Sequence, residues 1–345
     1  MGRMPIGHVL DALLSTASRP CKPPANAPKL ELVTATWRGD LAPFQLMRQA
    51  LSYSALRDIP HRIGVHSEDI ELFEHAPDNV VQILPTRTIL ANDLDQQRQM
   101  AIVRQRRYGR TLTKWMTSTT RYGWPQWVRA MGWQMQQITK LTLVAQSQAD
   151  LVVVIDSDVI TTRHARTEDF ITPGQALTYH HQVSAERLRG KTAKWNRTAH
   201  RLFSENGATT PCDDYFDTPF PMSPQLARDM FAYLESRYRQ PWWQVLMNQP
   251  PRRWSEFACY RAFVHHHVTA TQVCWQAPQR VRYLYPKSED HAALQAGVAG
   301  HLNDPGCAFL TVHSQSTGRR FISPTDAADL IRPLIQDHYQ PPSAS

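Results

Sequence analysis

The sequence lacks both the long apolar runs of a membrane protein and the cysteine patterns of a disulfide-bonded or zinc-binding protein. A membrane-spanning helix needs about 18 consecutive apolar residues, whereas the longest uninterrupted run here is Leu151–Ile155. The five cysteines are scattered along 345 residues without a C-x-x-C pair, so we expect neither a disulfide framework nor a zinc site. These absences predict a protein of the reducing cytoplasm.

Glycine is scarce and proline is abundant, with 14 glycines against 25 prolines. Many rigid turns and few permissive ones are typical of an irregular, loop-rich enzyme. The apolar content of 42% excludes a disordered or fibrous chain, and the length suits about two domains or one large α/β unit with an excursion. We expect a leader segment over 1–28, a catalytic domain over 29–320, and a C-terminal helix and tail over 321–345.

Acidic residues are absent over the whole stretch between Asp95 and Asp150. The same stretch contains seven arginines and two lysines, interleaved with tyrosine and tryptophan. A charge run of this kind is usually a solvated face, but the lack of any compensating acid favours a negative partner: nucleic acid, anionic lipid head groups or a phosphorylated small molecule. We interpret residues 95–132 as a basic, aromatic-rich helical insertion.

Short β-branched runs alternate with segments of helical periodicity. The pattern predicts strands at Leu30–Trp37, His61–His66 and Val80–Leu84, with helices at Leu41–Leu56 and Gly132–Gln148. Strands that alternate with helices indicate a mostly parallel sheet covered by helices on its faces. The predicted fold class is therefore α/β.

The most informative segment is the apolar run Leu151–Ile155 followed by Asp156, Ser157 and Asp158. A short, continuous β-branched run is typical of a parallel strand buried on both faces, and open parallel sheets bind ligands at the carboxyl ends of their strands. Two carboxylates there repel each other unless a hard divalent cation lies between them. The bland alternative is a loop with two solvated aspartates.

Two chemistries use such a pair of aspartates. In one, both carboxylates hold Mg²⁺ or Mn²⁺ against the diphosphate of a nucleotide sugar. In the other, Asp156 is the nucleophile of a haloacid-dehalogenase-like phosphatase. That phosphatase motif normally follows the first strand of its domain, whereas three candidate strands precede Asp156 here. The context favours the first chemistry.

Several segments occur in a recognisable order along most of the chain. They are Val33–Asp40, Gly64–Asp69, Trp133–Leu141, Val152–Ile160, Trp254–Phe257 and Val312–Ser314. In these segments the chain resembles glycosyltransferases of the GT-A fold, similar to the little-characterised bacterial families associated with surface or secreted glycans. The resemblance implies a Rossmann-like, mostly parallel sheet flanked by helices.

The resemblance also implies roles for particular residues. Those implied to bind the nucleotide-sugar donor are Thr36, Trp37, Arg38, His66, Lys140, Asp156 and Ser157. Metal binding is implied for Asp156, Asp158 and His313. Asp69 is an alternative to His66 near the base or ribose. The alternative for His313 is a structural histidine, and the alternative for Lys140 is an ordinary surface lysine.

Glu256 is the candidate general base, because inverting transfer needs a carboxylate to deprotonate the acceptor hydroxyl. It opens a predicted helix that Ser255 can cap, and its plain alternative is a favourable charge at a helix N-terminus. The proline-bounded loop with Asp213, Asp214 and Tyr215 would orient the donor sugar or the acceptor, or else is a surface turn. The run of three histidines at 265–267 is expected to be structural, since neighbours on a helix point apart.

These inferences lead to one hypothesis and two rivals. The hypothesis is a metal-dependent glycosyltransferase that uses Mn²⁺ or Mg²⁺ and a UDP- or GDP-linked sugar, with a glycan, lipid-linked or protein acceptor. It would be cytoplasmic, with peripheral contact to an anionic membrane through the basic segment and with no specific nucleic acid. The rivals are the aspartate phosphatase and a non-enzymatic nucleic-acid-binding protein that uses residues 98–140.

Overall fold

The computed structural model describes residues 28–73, 80–118, 125–204, 211–250, 252–285, 290–313 and 322–339. The predicted leader lies outside the described residues apart from residue 28, and so does the tail from residue 340. Within the described part of the chain, no helix is both long enough and apolar enough to cross a membrane.

The central sheet contains four parallel strands and one antiparallel edge strand. The strands of the described residues are β1 (Leu30–Thr36), β2 (His61–Val65), β3 (Val81–Pro85), β4 (Leu151–Val154), β5 (Val159–Thr161), β6 (Ala176–Tyr179), β7 (Phe220–Met222), β8 (Val273–Gln276), β9 (Val281–Leu284) and β10 (Phe309–Val312). The order in the central sheet is β3-β2-β1-β4-β7, with β7 antiparallel to β4 and the other neighbours parallel. The predicted α/β class with a mostly parallel sheet is confirmed.

Helices cover the sheet and connect its strands. The α-helices of the described residues are α1 (Leu41–Tyr53), α2 (Thr86–Ile89), α3 (Asn92–Ser118), α4 (Pro125–Gln146), α5 (Gly190–Phe203), α6 (Pro224–Tyr238), α7 (Trp242–Met247), α8 (Glu256–His267), α9 (His291–Asn303) and α10 (Pro324–Tyr339). Helix α4 packs against β1, β2 and β4. The described residues of the basic stretch 95–132 lie in α3 and at the start of α4, and Gly109 interrupts α3 with a positive φ of 72°.

The β-branched composition of β4 explains its central place. Its four side chains are buried, Val152, Val153 and Val154 completely, as expected for a strand that is covered on both faces. On the neighbouring strand β2, Gly64 allows close packing of α4, because a Cβ added there would lie 2.5 Å from the methyl group of Thr139. The site-bearing helix α4 is therefore seated closely on the sheet.

A second sheet, in the order β5-β10-β9, continues from the end of β4. Strand β10 runs antiparallel to β5, and the backbone N–H of Val312 donates to the carbonyl of Asp158 at 3.0 Å. This pairing places the residue after β10, His313, beside the Asp-Ser-Asp segment. Residues about 155 positions apart along the chain thus meet at one edge of the molecule.

Candidate active site

The site lies where the order of the strands reverses. The chain runs from β1 outward to β2 and β3, and later returns to form β4 on the other side of β1. In open α/β sheets this reversal leaves a crevice at the carboxyl ends of the two strands, and ligands bind there. Thr36 ends β1, and Asp156 follows β4 after Ile155.

Buried hydroxyl groups hold the two strand ends together. The hydroxyl of Thr34 donates to the carbonyl of Ile155 at 2.7 Å, and the hydroxyl of Ser157 donates to that of Thr36 at 3.0 Å. The backbone N–H of Asp156 donates to Thr218 Oγ1 at 3.1 Å. Thr36 and Ser157, both predicted to bind the donor, are buried and join the strands. Their observed contacts are with each other.

Lys140 is the buried cation of the site. Its side chain is 6% exposed, and its ammonium lies 2.5 Å from Asp156 Oδ1 and 3.1 Å from Glu256 Oε1. Burial alone would lower the pKa of Lys140, but attraction to the two carboxylates outweighs burial and raises that pKa. Lys140 therefore remains charged, and it joins the end of β4 to the start of α8.

Three further carboxylates lie around Asp156, and we call Asp40, Asp156, Asp158 and Asp217 the acidic cluster. Burial, followed by the charge of Asp156, raises the pKa of Asp40 from 3.8 to about 6. Burial also raises the pKa of Asp158 well above its ordinary value, helped by Asp156, Asp217 and Asp40. The pKa of Asp217 is raised by burial and by Asp156, against the lowering effect of His313. In each case repulsion from a neighbouring carboxylate contributes to the shift, so acidic groups are crowded at this position.

His313 borders the acidic cluster between two of its members. Its Nδ1 lies 3.7 Å from Asp158 Oδ2, and its Nε2 lies 3.4 Å from Asp217 Oδ1. Tyr285 stacks on the imidazole with 4.8 Å between ring centroids, and Tyr283 with 5.9 Å. Burial lowers the pKa of His313 despite the nearby carboxylates. The structure thus brings His313 to the Asp-Ser-Asp segment.

The ligating atoms of the acidic cluster and His313 are of the types that bind a divalent cation. Hard carboxylate oxygens lie beside an imidazole, and Nε2 of His313 is buried without a hydrogen-bond partner among the described residues. As the side chains are placed, however, no group of three or more His, Cys, Asp or Glu within the described ranges converges on a position that could hold an ion. The fit is one of charge and donor type, and closing the donors around an ion requires side-chain rearrangement.

Glu256 is enclosed at the base of the site. The residue is 4% exposed, it forms the ion pair with Lys140, and its second carboxylate oxygen accepts from the hydroxyl of Ser255 at 3.2 Å. Its backbone N–H donates to Gln137 Oε1 at 2.9 Å. Ser255 stands at the N-cap of α8 without a side-chain capping bond, contrary to the expectation that it caps the helix. Its short hydroxyl is engaged by Glu256 instead.

Arg38 and His66 belong to a neighbouring group at the end of β2. The backbone N–H of Arg38 donates to Asp69 Oδ2 at 2.9 Å, and its Nε donates to Asp69 Oδ1 at 2.5 Å. Asp69 is buried, whereas the side chain of Arg38 is 55% exposed. Burial, followed by the charge of Arg98, lowers the pKa of His66. Arg38 and His66 thus have Glu68 and Asp69 as shared acidic neighbours.

Two exposed aromatic rings lie at the rim of the site. Trp37 is 40% exposed and Tyr285 is 60% exposed. The Trp37 ring covers Gly39, where an added Cβ would lie 2.3 Å from a ring atom, and the indole N–H hydrogen-bonds Asp40. A glycine at position 39 is therefore required for this placement of the indole. Both rings are open to a planar or apolar ligand group.

Two members of the acidic cluster are missing from the sequence-based site. Asp40 ends the 3-10 turn Arg38–Asp40, and Asp217 lies in the loop before β7, two residues after Tyr215. Tyr215 is 5% exposed and donates its hydroxyl to the carbonyl of Pro219 at 2.7 Å, so its ring is closed to the sugar stacking considered for it. The signal that could have found Asp217 is its position directly before a threonine and a proline in that loop.

The fold and the site define an α/β protein with a doubly wound sheet and a partly buried acidic site at the reversal of strand order. The chain belongs to the family of unknown function DUF6492, whose match covers residues 65–326. No curated protein matches the chain.

Among solved structures, the chain is similar to the galactosyltransferase LgtC in complex with donor and acceptor sugar analogues. The identity is 10% and the TM-score 0.43, with 91% of this chain and 98% of that chain covered. An active-site mutant of LgtC is similar at 11% identity and a TM-score of 0.38, with 87% and 94% covered.

Proposed function

We propose that this protein is a metal-dependent glycosyltransferase that transfers a sugar from a nucleoside diphosphate to a glycan, lipid-linked or protein acceptor. The observation that supports it best is the acidic cluster at the carboxyl ends of β1 and β4, where Asp156 and Asp158 lie beside His313. An excess of carboxylates in a crevice attracts a divalent cation, and a cation held there attracts a diphosphate.

In this proposal Asp156, Asp158 and His313 would hold the cation, with the Asp156 carboxylate oriented by Lys140. A cation held there would stabilise the negative charge of the departing diphosphate. Trp37 and Tyr285 offer ring faces for the base or for a sugar, since aromatic rings stack on both. Arg38, held by Asp69 but more than half exposed, can turn its free N–H groups toward a phosphate or ribose.

Two carboxylates are candidates for the base that accepts the proton of the acceptor hydroxyl. The sequence favours Glu256 as the base. In the structure its side chain is only 5% exposed and forms an ion pair with Lys140. Asp217 is the more accessible of the two, because its side chain is 32% exposed whereas that of Glu256 is 5% exposed. We propose Asp217 as the base and Glu256 as the residue that positions Lys140.

Donor turnover tests the function directly. Purified protein is incubated with a panel of UDP- and GDP-linked sugars and Mn²⁺, and release of the nucleoside diphosphate is measured with and without candidate acceptors. We expect release from at least one donor, abolished by Asp158→Asn and retained by the exposed control Asp93→Asn. Turnover that Asp158→Asn leaves unchanged, or no turnover of any donor, would count against the proposal.

Asp217→Asn and Glu256→Gln separate the two roles. If Asp217 is the base, Asp217→Asn lowers kcat with little change in donor KM, since removing a group that acts only in the transition state lowers kcat. Glu256→Gln should lower stability as well as activity. The opposite pattern would return the base role to Glu256.

A further inference from the structure

A cavity of about 160 Å³ lies between α5, α8 and the loop that follows residue 210, and its described lining includes no member of the acidic cluster. It is lined by Arg261 of α8 together with His180, His200, His265 and Trp275. An engineered cavity of about 150 Å³ can hold a six-membered aromatic ring. The space is therefore large enough for a small organic molecule.

Arg261 is the unusual residue of this cavity. It is only 5% exposed, and neither terminal nitrogen of its guanidinium has a hydrogen-bond partner among the described residues. Burying a charged donor without an acceptor is costly. The guanidinium stacks on the ring of Phe216, with 4.9 Å between Cζ and the ring centroid. That stacking fixes its plane and supplies no acceptor for its N–H groups.

Asp213 balances the charge of Arg261 but does not satisfy its donors. The closest approach of the two side chains is 3.3 Å, and the Asp213 oxygens already accept backbone N–H groups, Oδ1 from Tyr215 at 3.0 Å and Oδ2 from His181 at 3.2 Å. The loop thus holds Asp213 through its own backbone. The guanidinium remains available to an acceptor that enters the cavity.

The rest of the lining suits a polar ligand. Burial lowers the pKa of His200 to about 4, with the nearby positive groups contributing, and burial also lowers that of His180. The neutral imidazole of His180 can both donate and accept hydrogen bonds, whereas Nδ1 of His200 is hydrogen-bonded to His266 Nε2 at 2.9 Å. The indole of Trp275 packs against His180 with 5.3 Å between ring centroids and gives the cavity one apolar wall.

We propose that this cavity binds a small molecule with a carboxylate or phosphate group, and that Arg261 holds that oxyanion. A guanidinium matches the two oxygens of an oxyanion in a bidentate arrangement, which would satisfy both terminal nitrogens at once. The site does not depend on the proposed transferase function. Its ligand is a second small molecule, bound away from the acidic cluster.

Calorimetric titrations of the full-length protein test the proposal. The probes are inorganic phosphate and D-glucuronate, with neutral methyl β-D-glucoside as comparison, all at matched ionic strength in sodium chloride. Arg261→Gln removes the guanidinium, whereas Ala258→Leu fills the cavity and leaves the charge. His291→Ala, an exposed position on α9, is the matched control. Circular dichroism verifies that each variant is folded.

We expect at least one of the two anions to bind at millimolar concentration or tighter. Arg261→Gln and Ala258→Leu should each weaken that binding about tenfold or more, and His291→Ala should leave it unchanged. If Arg261→Gln or Ala258→Leu fails to fold, the remaining variant gives the result. The comparison of the anions with the glucoside uses the wild-type protein alone. Absence of binding by both anions, equal binding of the glucoside, or wild-type affinity in a folded variant would overturn the proposal.

Discussion

Lys140 and Glu256, 116 positions apart in sequence, form a buried ion pair with 3.1 Å between Nζ and Oε1. Because the same ammonium contacts Asp156, it couples the end of β4 to the start of α8. Removing one partner of a buried pair leaves the other charge uncompensated, which costs about 3–5 kcal/mol. A single substitution that breaks the pair is therefore destabilising, and the three charges together set the electrostatics of the site.

Replacement of Lys140 by methionine should destabilise the fold by about 3–5 kcal/mol, because Glu256 would remain buried without its partner. Urea denaturation followed by circular dichroism measures the free energy of unfolding. The double variant Lys140→Met/Glu256→Gln should recover part of the loss, and Lys194→Met, at an exposed lysine of α5, should change stability little. A loss in the double variant equal to the sum of the two single losses would refute the pairing.

The bidentate pair between Glu68 and Arg98 should make stability depend on acid pH. Its N–O distances are 2.7 and 2.6 Å. Burial opposes ionisation of Glu68, but the hydrogen bonds and charge of Arg98 prevail and lower its pKa from 4.5 to about 2. A carboxyl group whose pKa is lowered by folding stabilises the fold fully at pH values above its ordinary pKa of 4.5. That contribution is lost as the pH falls from 4.5 toward 2.

Glu68→Gln should therefore cost about 1–2 kcal/mol at pH 7, a figure reduced because the Glu68 side chain is 32% exposed. The difference from the wild-type protein should shrink between pH 4.5 and 2. Denaturation series across that range measure it, with exposed Glu71→Gln as the control. A constant difference at all pH values would contradict the role assigned to Arg98.

Two glycine substitutions should change stability in opposite directions. Gly64→Ala places a methyl group 2.5 Å from Thr139 on α4, and overpacking of this kind costs about 1–3 kcal/mol. Gly300→Ala lies within α9 with open space around the added carbon, and should gain about 0.5–1 kcal/mol from helix propensity. Thermal unfolding of both variants checks this, and a neutral Gly64→Ala would contradict the close seating of α4.

Trp37 should contribute to donor binding without contributing much to the fold, because its ring is 40% exposed. Trp37→Ala should weaken binding of the nucleotide by about 1–3 kcal/mol, the usual range for stacking of a base on an aromatic ring. Trp37→Phe loses the hydrogen bond to Asp40. Because it keeps an aromatic ring, it should still retain most of the affinity for the nucleotide. Tyr53→Ala, half exposed on α1, is the control, and equal affinity in Trp37→Ala would remove this role.

The sequence predicted the framework of the site because that framework depends on local patterns. The β-branched run Leu151–Ile155 indicated a buried strand, and β4 occupies Leu151–Val154 in the sheet. Strands β1, β2 and β3 also lie within one or two residues of their predicted bounds. Alternation of apolar strands with amphipathic helices is a short-range property, so one sequence suffices to detect it.

The contacts within the site could not be predicted in the same way, since they join residues far apart in sequence. Lys140 was expected to face a phosphate, and the structure shows it paired with Asp156 and Glu256. Asp217 lies beside Thr218, whose hydroxyl accepts the backbone N–H of Asp156, a residue 62 positions earlier in the chain. Contacts of this kind depend on the tertiary arrangement of the chain. Neither composition nor periodicity predicts that arrangement.

Metal-dependent binding of a nucleoside diphosphate is the central claim, and isothermal titration tests it most directly. UDP and GDP are titrated into wild-type protein and Asp158→Asn, each with Mn²⁺ and with Mn²⁺ removed by a chelator. We expect one of the nucleotides to bind the wild-type protein only with Mn²⁺, and Asp158→Asn to weaken that binding about tenfold or more. Failure of both nucleotides to bind, or binding that neither metal removal nor Asp158→Asn changes, would contradict the account.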